Sequence, residues 1–170
     1  MIKNNIVLSG FMGSGKTTTG LALAKLLKME FVDLDIWIEK NQGKSVKDIF
    51  ADSGEEYFRT LETKAAKLLG AASGKVIACG GGTVLRQENS VALKQNGILF
   101  YLWVDAETVK NRLKGDTTRP LIAKDTEKSI ISLLEKREPI YRAAADFVID
   151  ATVNTQNTIN QILNALDALE

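Results

Sequence analysis

The chain has 170 residues, 45% of them hydrophobic and 25% charged, with a formal net charge of +1. These are the proportions of one soluble globular domain with a core large enough to fold alone, and no bulk field draws it to nucleic acid or anionic membranes. Histidine is absent and Cys79 is the single cysteine. Serine–histidine and cysteine–histidine catalysis are therefore excluded, along with the commonest zinc ligand and any internal disulfide. What remains is chemistry from carboxylates, lysine, arginine, hydroxyls, backbone amides and a bound metal.

The first apolar run, NIVLS (5–9), predicts a buried strand. No apolar run reaches the roughly 20 residues that span a bilayer, and the strand begins too early for a signal or transit peptide, so the cytoplasm is the expected compartment. GFMGSGKTTTG follows, and Gly10, Gly13, Gly15, Lys16 and Thr17 fit G-x-x-x-x-G-K-[ST]. Its glycines permit a tight turn whose N–H groups aim inward at phosphates, with Ser14 and Thr18 in the same cradle. The helix opening near Lys16 adds its positive end, Lys16 can reach the β- and γ-phosphates, and Thr17 is placed to ligate Mg²⁺. The alternative is a glycine turn with no ligand. The expected ligand is ATP or GTP with Mg²⁺.

A second run, FVDL (31–34), leads into Asp33-Leu34-Asp35. Strand alternation would put both carboxylates on one side, one serving Mg²⁺ through water and the other accepting from substrate hydroxyls. Caps of a loop or helix would use the same spacing. Ser45 and Asp48 open a short helix. The stretch GEEYFRTLETKAAKLL (54–69) forms a longer one, on which Arg59 and Glu62 lie at i and i+3, close enough to pair. The third strand, VIAC (76–79), ends on Gly80-Gly81-Gly82, where a ligand can press against bare backbone or a turn can simply flex. After ILFYLWV (98–104), Asp105 caps a helix through Leu113. The polar stretch 114–124, broken by Gly115 and Pro120, has the composition of a mobile lid. Its Arg119 is placed to close on the transferring phosphoryl group. Late in a further helix, where Pro139 should bend the chain, Arg142 can offer a two-pronged grip for a carboxylate, although taken alone it reads better as a helix-surface residue. FVID (147–150) and a closing helix complete the alternation.

Strands alternating with helices imply a three-layer α/β sandwich around a five-stranded parallel sheet, with ligands beyond the carboxyl ends of the strands. Neither a D-x-x-G switch nor an N-K-x-D guanine reader occurs. The nucleotide's terminal phosphate is therefore expected to go to a small molecule.

In order along the chain, GFMGSGKTTTG, D-L-D at 33–35, GEEYFRTLE at 54–62, CGGGTV at 79–84, RPL at 119–121 and REPIYR at 137–142 resemble the shikimate kinase family over nearly the whole length. The resemblance implies a P-loop fold of the nucleoside monophosphate kinase type. It implies transfer of the γ-phosphoryl group of ATP to the 3-hydroxyl of shikimate. With no repeat or linker, residues 1–170 read as a single kinase domain; the charge balance and apolar runs leave no nucleic-acid or membrane partner expected, and a monomer is the default in the absence of an interface signal. By the family pattern, Asp35 binds ring hydroxyls and takes up the proton. Arg59 and Arg142 bind the carboxylate, Gly80, Gly81 and Gly82 line the pocket, and Glu62 holds Arg59. Thr17 and Asp33 serve Mg²⁺, Arg119 arrives with the lid, and Arg112 stacks on adenine beside the loop after Asp150. The readings left beside it are a P-loop kinase of another polyhydroxy acid, such as gluconate, and a nucleotide-binding module that does not turn over.

Overall fold

The structure, a computed structural model, describes residues 4–114 and 127–169. Five strands, β1 (Asn5–Ser9), β2 (Glu30–Asp33), β3 (Lys75–Ala78), β4 (Gly97–Trp103) and β5 (Phe147–Asp150), form one sheet in the order β2-β3-β1-β4-β5. Every adjacent pair is parallel; Ile6, for example, stands between Val76 and Ile98. β1 is buried at all of its positions and β4 carries an almost unbroken apolar run, the pattern of strands covered on both faces.

Seven α-helices supply the cover among the described residues: α1 (Lys16–Leu27), α2 (Leu34–Gln42), α3 (Val46–Ala71), α4 (Gln87–Leu93), α5 (Ala106–Leu113), α6 (Glu127–Ala144) and α7 (Thr155–Asp167). α1 packs on β1, β2 and β3 and against α7, which covers β5. α3 packs on α2 and α4, and both α4 and α6 reach β4. The result is the expected three-layer sandwich. None of the described helices is long and apolar enough to cross a membrane.

Local sequence accounts for where the helices start. Ser45, Asp105 and Asn154 accept from the backbone N–H of Asp48 (3.1 Å), Thr108 (2.7 Å) and Asn157 (2.8 Å), satisfying donors that the first helical turn leaves open. The two helices expected on either side of Gly54 run end to end as α3, broken only at Gly54 (φ 81°, ψ 171°), a backbone state that favours glycine. Pro139 lies inside α6, which continues beyond it to Ala144.

One expectation needs correction. The second strand stops at Asp33, and Leu34 already begins α2, so Asp33 and Asp35 do not alternate along a strand. Asp33 caps α2, its Oδ1 accepting from Ile36 N at 3.2 Å, and Asp35 sits in that helix's first turn. An aspartate three residues before a free helical N–H is a strong helix start, and here it ends the strand.

The sheet is tied to α3 through Asn5, which is fully buried at the start of β1. Its Nδ2 donates to Leu69 O (3.2 Å) and Ala72 O (2.8 Å), and its Oδ1 accepts from Lys75 N (3.0 Å). Asn5→Ala removes all three bonds and leaves the buried Leu69 carbonyl without this donor. It is expected to cost about 2–4 kcal/mol of stability, read as a lower midpoint in urea with unchanged slope.

Candidate active site

Parallel strands deliver their following loops to one edge of the sheet. Because β1 is flanked by β3 on one side and β4 on the other, the loops after β1 and β3 lie side by side where the winding direction changes. A cleft of about 620 Å³ opens there.

Its nucleotide half is the loop between β1 and α1. Gly10, Gly13 and Gly15 have φ of 149°, 76° and 86°, and a Cβ on Gly10 would fall 2.8 Å from Leu102 O. Gly15 begins α1 with no side-chain cap, leaving the first-turn N–H groups directed at the cleft as an anion site. Lys16 Nζ donates to Gly10 O (2.7 Å), Phe11 O (2.9 Å) and Ser14 Oγ (3.4 Å), which sets the ammonium across the loop. Thr17 Oγ1 donates to Asp33 Oδ2 at 3.2 Å, and both residues line the cleft with Thr18. Asp33 thus caps α2 with one oxygen and meets Thr17 with the other.

Beside this half lies a smaller recess bounded by Ser14, Gly15, Arg112, Ala151, Asn154 and Thr158, among others. Arg112 links its walls, donating to Gly13 O (3.1 Å) and Ala151 O (2.6 Å).

The acceptor half gathers charge around Gly80-Gly81-Gly82. Asp35 Oδ1 is buried with no hydrogen-bond partner among the described residues. A Cβ on Gly80 would come within 2.6 Å of that oxygen, and one on Gly82 would collide with the Arg59 guanidinium. A Cβ on Gly81 would stand 3.8 Å from Arg137 Nη1. A side chain at Gly80 or Gly82 would therefore displace the Asp35 carboxylate or the Arg59 guanidinium from its present place. Burial does most to push the Asp35 carboxyl up, to about 6, with the Glu62, Asp33 and Glu39 charges adding and Lys16 opposing. Arg59 donates to Glu62 Oε2 at 2.6 Å and to Glu55 Oε1 at 3.1 Å. Glu62, 1% exposed, also accepts from Thr83 Oγ1 at 2.9 Å. Two donors compensate its charge where burial alone would be costly.

The expected residues Gly13, Gly15, Lys16, Thr17, Thr18, Asp33, Asp35, Arg59, Gly80, Gly81, Gly82 and Arg112 all line the main cleft, and Ser14 lines the recess. Arg119 and nearly all of the expected lid, 114–124, lie outside the described residues.

Arg142 is a correction. It does not line the cleft; it lies exposed on α6, paired with Glu138 Oε1 at 2.8 Å and over the Tyr101 ring. Arg137 lines the cleft in its place. The reason is helical phase. Leu134 and Tyr141 are buried and mark the inner face of α6. Arg137 falls between them at i+3 and i−4, whereas Arg142 is about 100° round from Tyr141. That spacing was available in the sequence and could have chosen between the two arginines. Thr83, the buried partner of Glu62, carried no comparable signal, because only the fold brings the turn after β3 onto α3.

The family model for shikimate kinase matches residues 12–167. The shikimate kinase of Caldanaerobacter subterraneus subsp. tengcongensis is 46% identical over 152 residues, which cover 89% of this chain and 88% of that one. Among solved structures, the shikimate kinase from Acinetobacter baumannii in complex with shikimate superposes with a TM-score of 0.89 at 36% identity, covering 98% of this chain and 94% of that one. A gluconokinase from Sinorhizobium meliloti reaches a TM-score of 0.62 at 13% identity, covering 99% and 94%, a likeness of fold alone.

The unpartnered Asp35 carboxylate also has a stability consequence. Its proton is held to a higher pH in the folded chain, about 6, than in the unfolded one, so folding loses stability as pH rises from about 4 to 6. Asparagine does not titrate. Asp35→Asn should raise the thermal midpoint above pH 6, by a stabilisation of about 2 kcal/mol, and change it little near pH 4. Melts at pH 4 and 7.5 that shift equally would refute this.

Proposed function

The chain belongs to the shikimate kinase family, and on that premise we propose that it transfers the γ-phosphoryl group of ATP to the 3-hydroxyl of shikimate, releasing ADP and shikimate 3-phosphate. The observation that carries the reading is the juxtaposition, in one cleft, of a phosphate loop with a glycine-walled pocket holding one unpartnered carboxylate and two guanidinium groups. A compact acid bearing hydroxyls matches that set: arginine forks suit its carboxylate and Asp35 suits a ring hydroxyl. A nucleotide-binding module without turnover would have no use for such a pocket, and the likeness to a gluconokinase extends only to fold.

Phosphoryl transfer asks a protein mainly for positioning and charge stabilisation. The glycine loop, the start of α1 and Lys16 cradle the donor phosphates. Asp35 accepts a hydrogen bond from the attacking hydroxyl and aligns it, taking up the proton as the new P–O bond forms. Arg59, held by Glu62, and Arg137 grip the carboxylate from two sides. Arg112 shapes the recess that suits the base. Arg119 is assigned to the transferring group with the lid, a role that rests on the family pattern.

Thr17 and Asp33 fit Mg²⁺. They offer hard oxygen donors in contact with one another at the mouth of the phosphate loop, and no group of three acidic or thiol ligands exists among the described residues. A metal that keeps waters and phosphate oxygens in its shell needs little more from protein. When bound it would offset charge on the phosphate oxygens. A single-domain monomer in the cytoplasm completes the reading, and the net charge of +1 gives no bulk pull toward nucleic acid.

An ADP-release assay with ATP and Mg²⁺ tests this directly: shikimate should support turnover, whereas gluconate and no acceptor should not. Asp35→Asn should lower kcat by about 10²-fold or more with ATP binding intact. Arg59→Ala and Arg137→Ala should each raise the shikimate KM by about tenfold or more while the ATP KM stays within twofold. Arg142→Ala should leave both constants nearly unchanged; the opposite ranking of the two α6 arginines would return the carboxylate grip to Arg142.

A further inference from the structure

Each carbonyl of the glycine run has a donor. Thr83 N donates to Gly80 O and Leu85 N to Gly82 O, both at 3.2 Å, as the chain turns into the short helical segment Thr83–Leu85. Gly81 O has no local donor; it accepts from the Tyr141 hydroxyl at 2.5 Å, across 60 residues of sequence. Two of the three contacts are therefore made by the loop itself, and the middle one is made by α6.

Tyr141 is built to hold that position. Its side chain is fully buried and its ring stacks on Tyr101 with centroids 5.2 Å apart, so ring placement does not depend on the hydroxyl. A phenol has one proton to give and lone pairs to receive. With the proton on Gly81 O, the oxygen can accept from Arg137, one helical turn earlier on the same face of α6. Burial raises the Tyr141 pKa, while the charge and hydrogen bond of Arg137 pull it down, consistent with that contact. Arg137 Nη1 in turn lies 3.8 Å from where a Gly81 Cβ would be.

Resting on the reading of Arg137 as a carboxylate grip, we propose that Tyr141 is a positioning residue for the acceptor, its hydroxyl bridging the Gly81 carbonyl and the Arg137 guanidinium. The bridge fixes the spacing between the glycine backbone and the second arginine, and so the width of the pocket offered to a small hydroxylated acid. It touches neither the nucleotide cradle nor Asp35. Loss of the hydroxyl should loosen acceptor binding and leave the rest of the site in place.

Tyr141→Phe isolates the claim, because the stacked ring is kept. The expected result is a rise of about tenfold in the shikimate KM, with kcat at saturating shikimate and the ATP KM within about twofold. Arg137→Ala provides the second arm. If Tyr141 acts through Arg137, adding Tyr141→Phe to Arg137→Ala should raise the KM by less than threefold further. An unchanged KM in the single variant, equal losses toward ATP and shikimate, or a full tenfold effect on top of Arg137→Ala would each overturn the proposal. Wild-type protein that turned over no shikimate would instead refute the function, so the two failures are distinguishable.

Discussion

The acceptor half of the cleft depends on a missing atom. At Gly80 and Gly82 a single Cβ would occupy the space of the Asp35 carboxylate and the Arg59 guanidinium. Three charged groups of different elements, from α2, α3 and α6, converge because the strand they surround ends in backbone alone. Any side chain there would widen the pocket by pushing back the groups that define it. The glycine run thus works through close approach, not through flexibility: its φ values do not enter the left-handed region, unlike those of the phosphate loop.

Around that backbone, buried charges are treated in two ways. Glu62 is buried and compensated, with Arg59 and Thr83 both donating to it, so it fixes the position of the arginine. Asp35 is buried with one oxygen left unpaired, and its carboxyl is raised to about 6. A structural carboxylate would be paid for with hydrogen bonds. One left without them is basic enough to receive a proton near neutral pH, at the expense of folding stability.

The sheet topology brings these parts to one place. β1 pairs with β3, so the phosphate loop and the glycine run emerge next to each other, and β2 pairs with β3 to bring Asp33 and Asp35 alongside. Donor and acceptor cradles are neighbours because their strands are hydrogen-bonded, not because they are near in sequence. α3 and α6 then supply one arginine each, Arg59 beside Gly82 and Arg137 beside Gly81.

Much of this was legible before folding was considered. The phosphate loop has a pattern specific to its geometry, the five apolar runs mark the strands to within a residue or so, and short polar residues mark the helix starts at Ser45 and Asp105. Sequence by itself therefore determined the layer architecture and the glycine loop, since each depends on local backbone geometry or on a motif of fixed spacing, and it singled out Asp35 and Arg59, which the fold brings to the cleft. Where β2 ended was decided by competition between strand alternation and a helix cap at Asp33, and the cap prevailed. Helical spacing on α6 already separated Arg137 from Arg142; only tertiary structure decided that Thr83 steadies Glu62 and that Tyr141 reaches Gly81. Those contacts join elements far apart in the chain, and packing of α3 and α6 against the turn after β3 sets which side chains meet there.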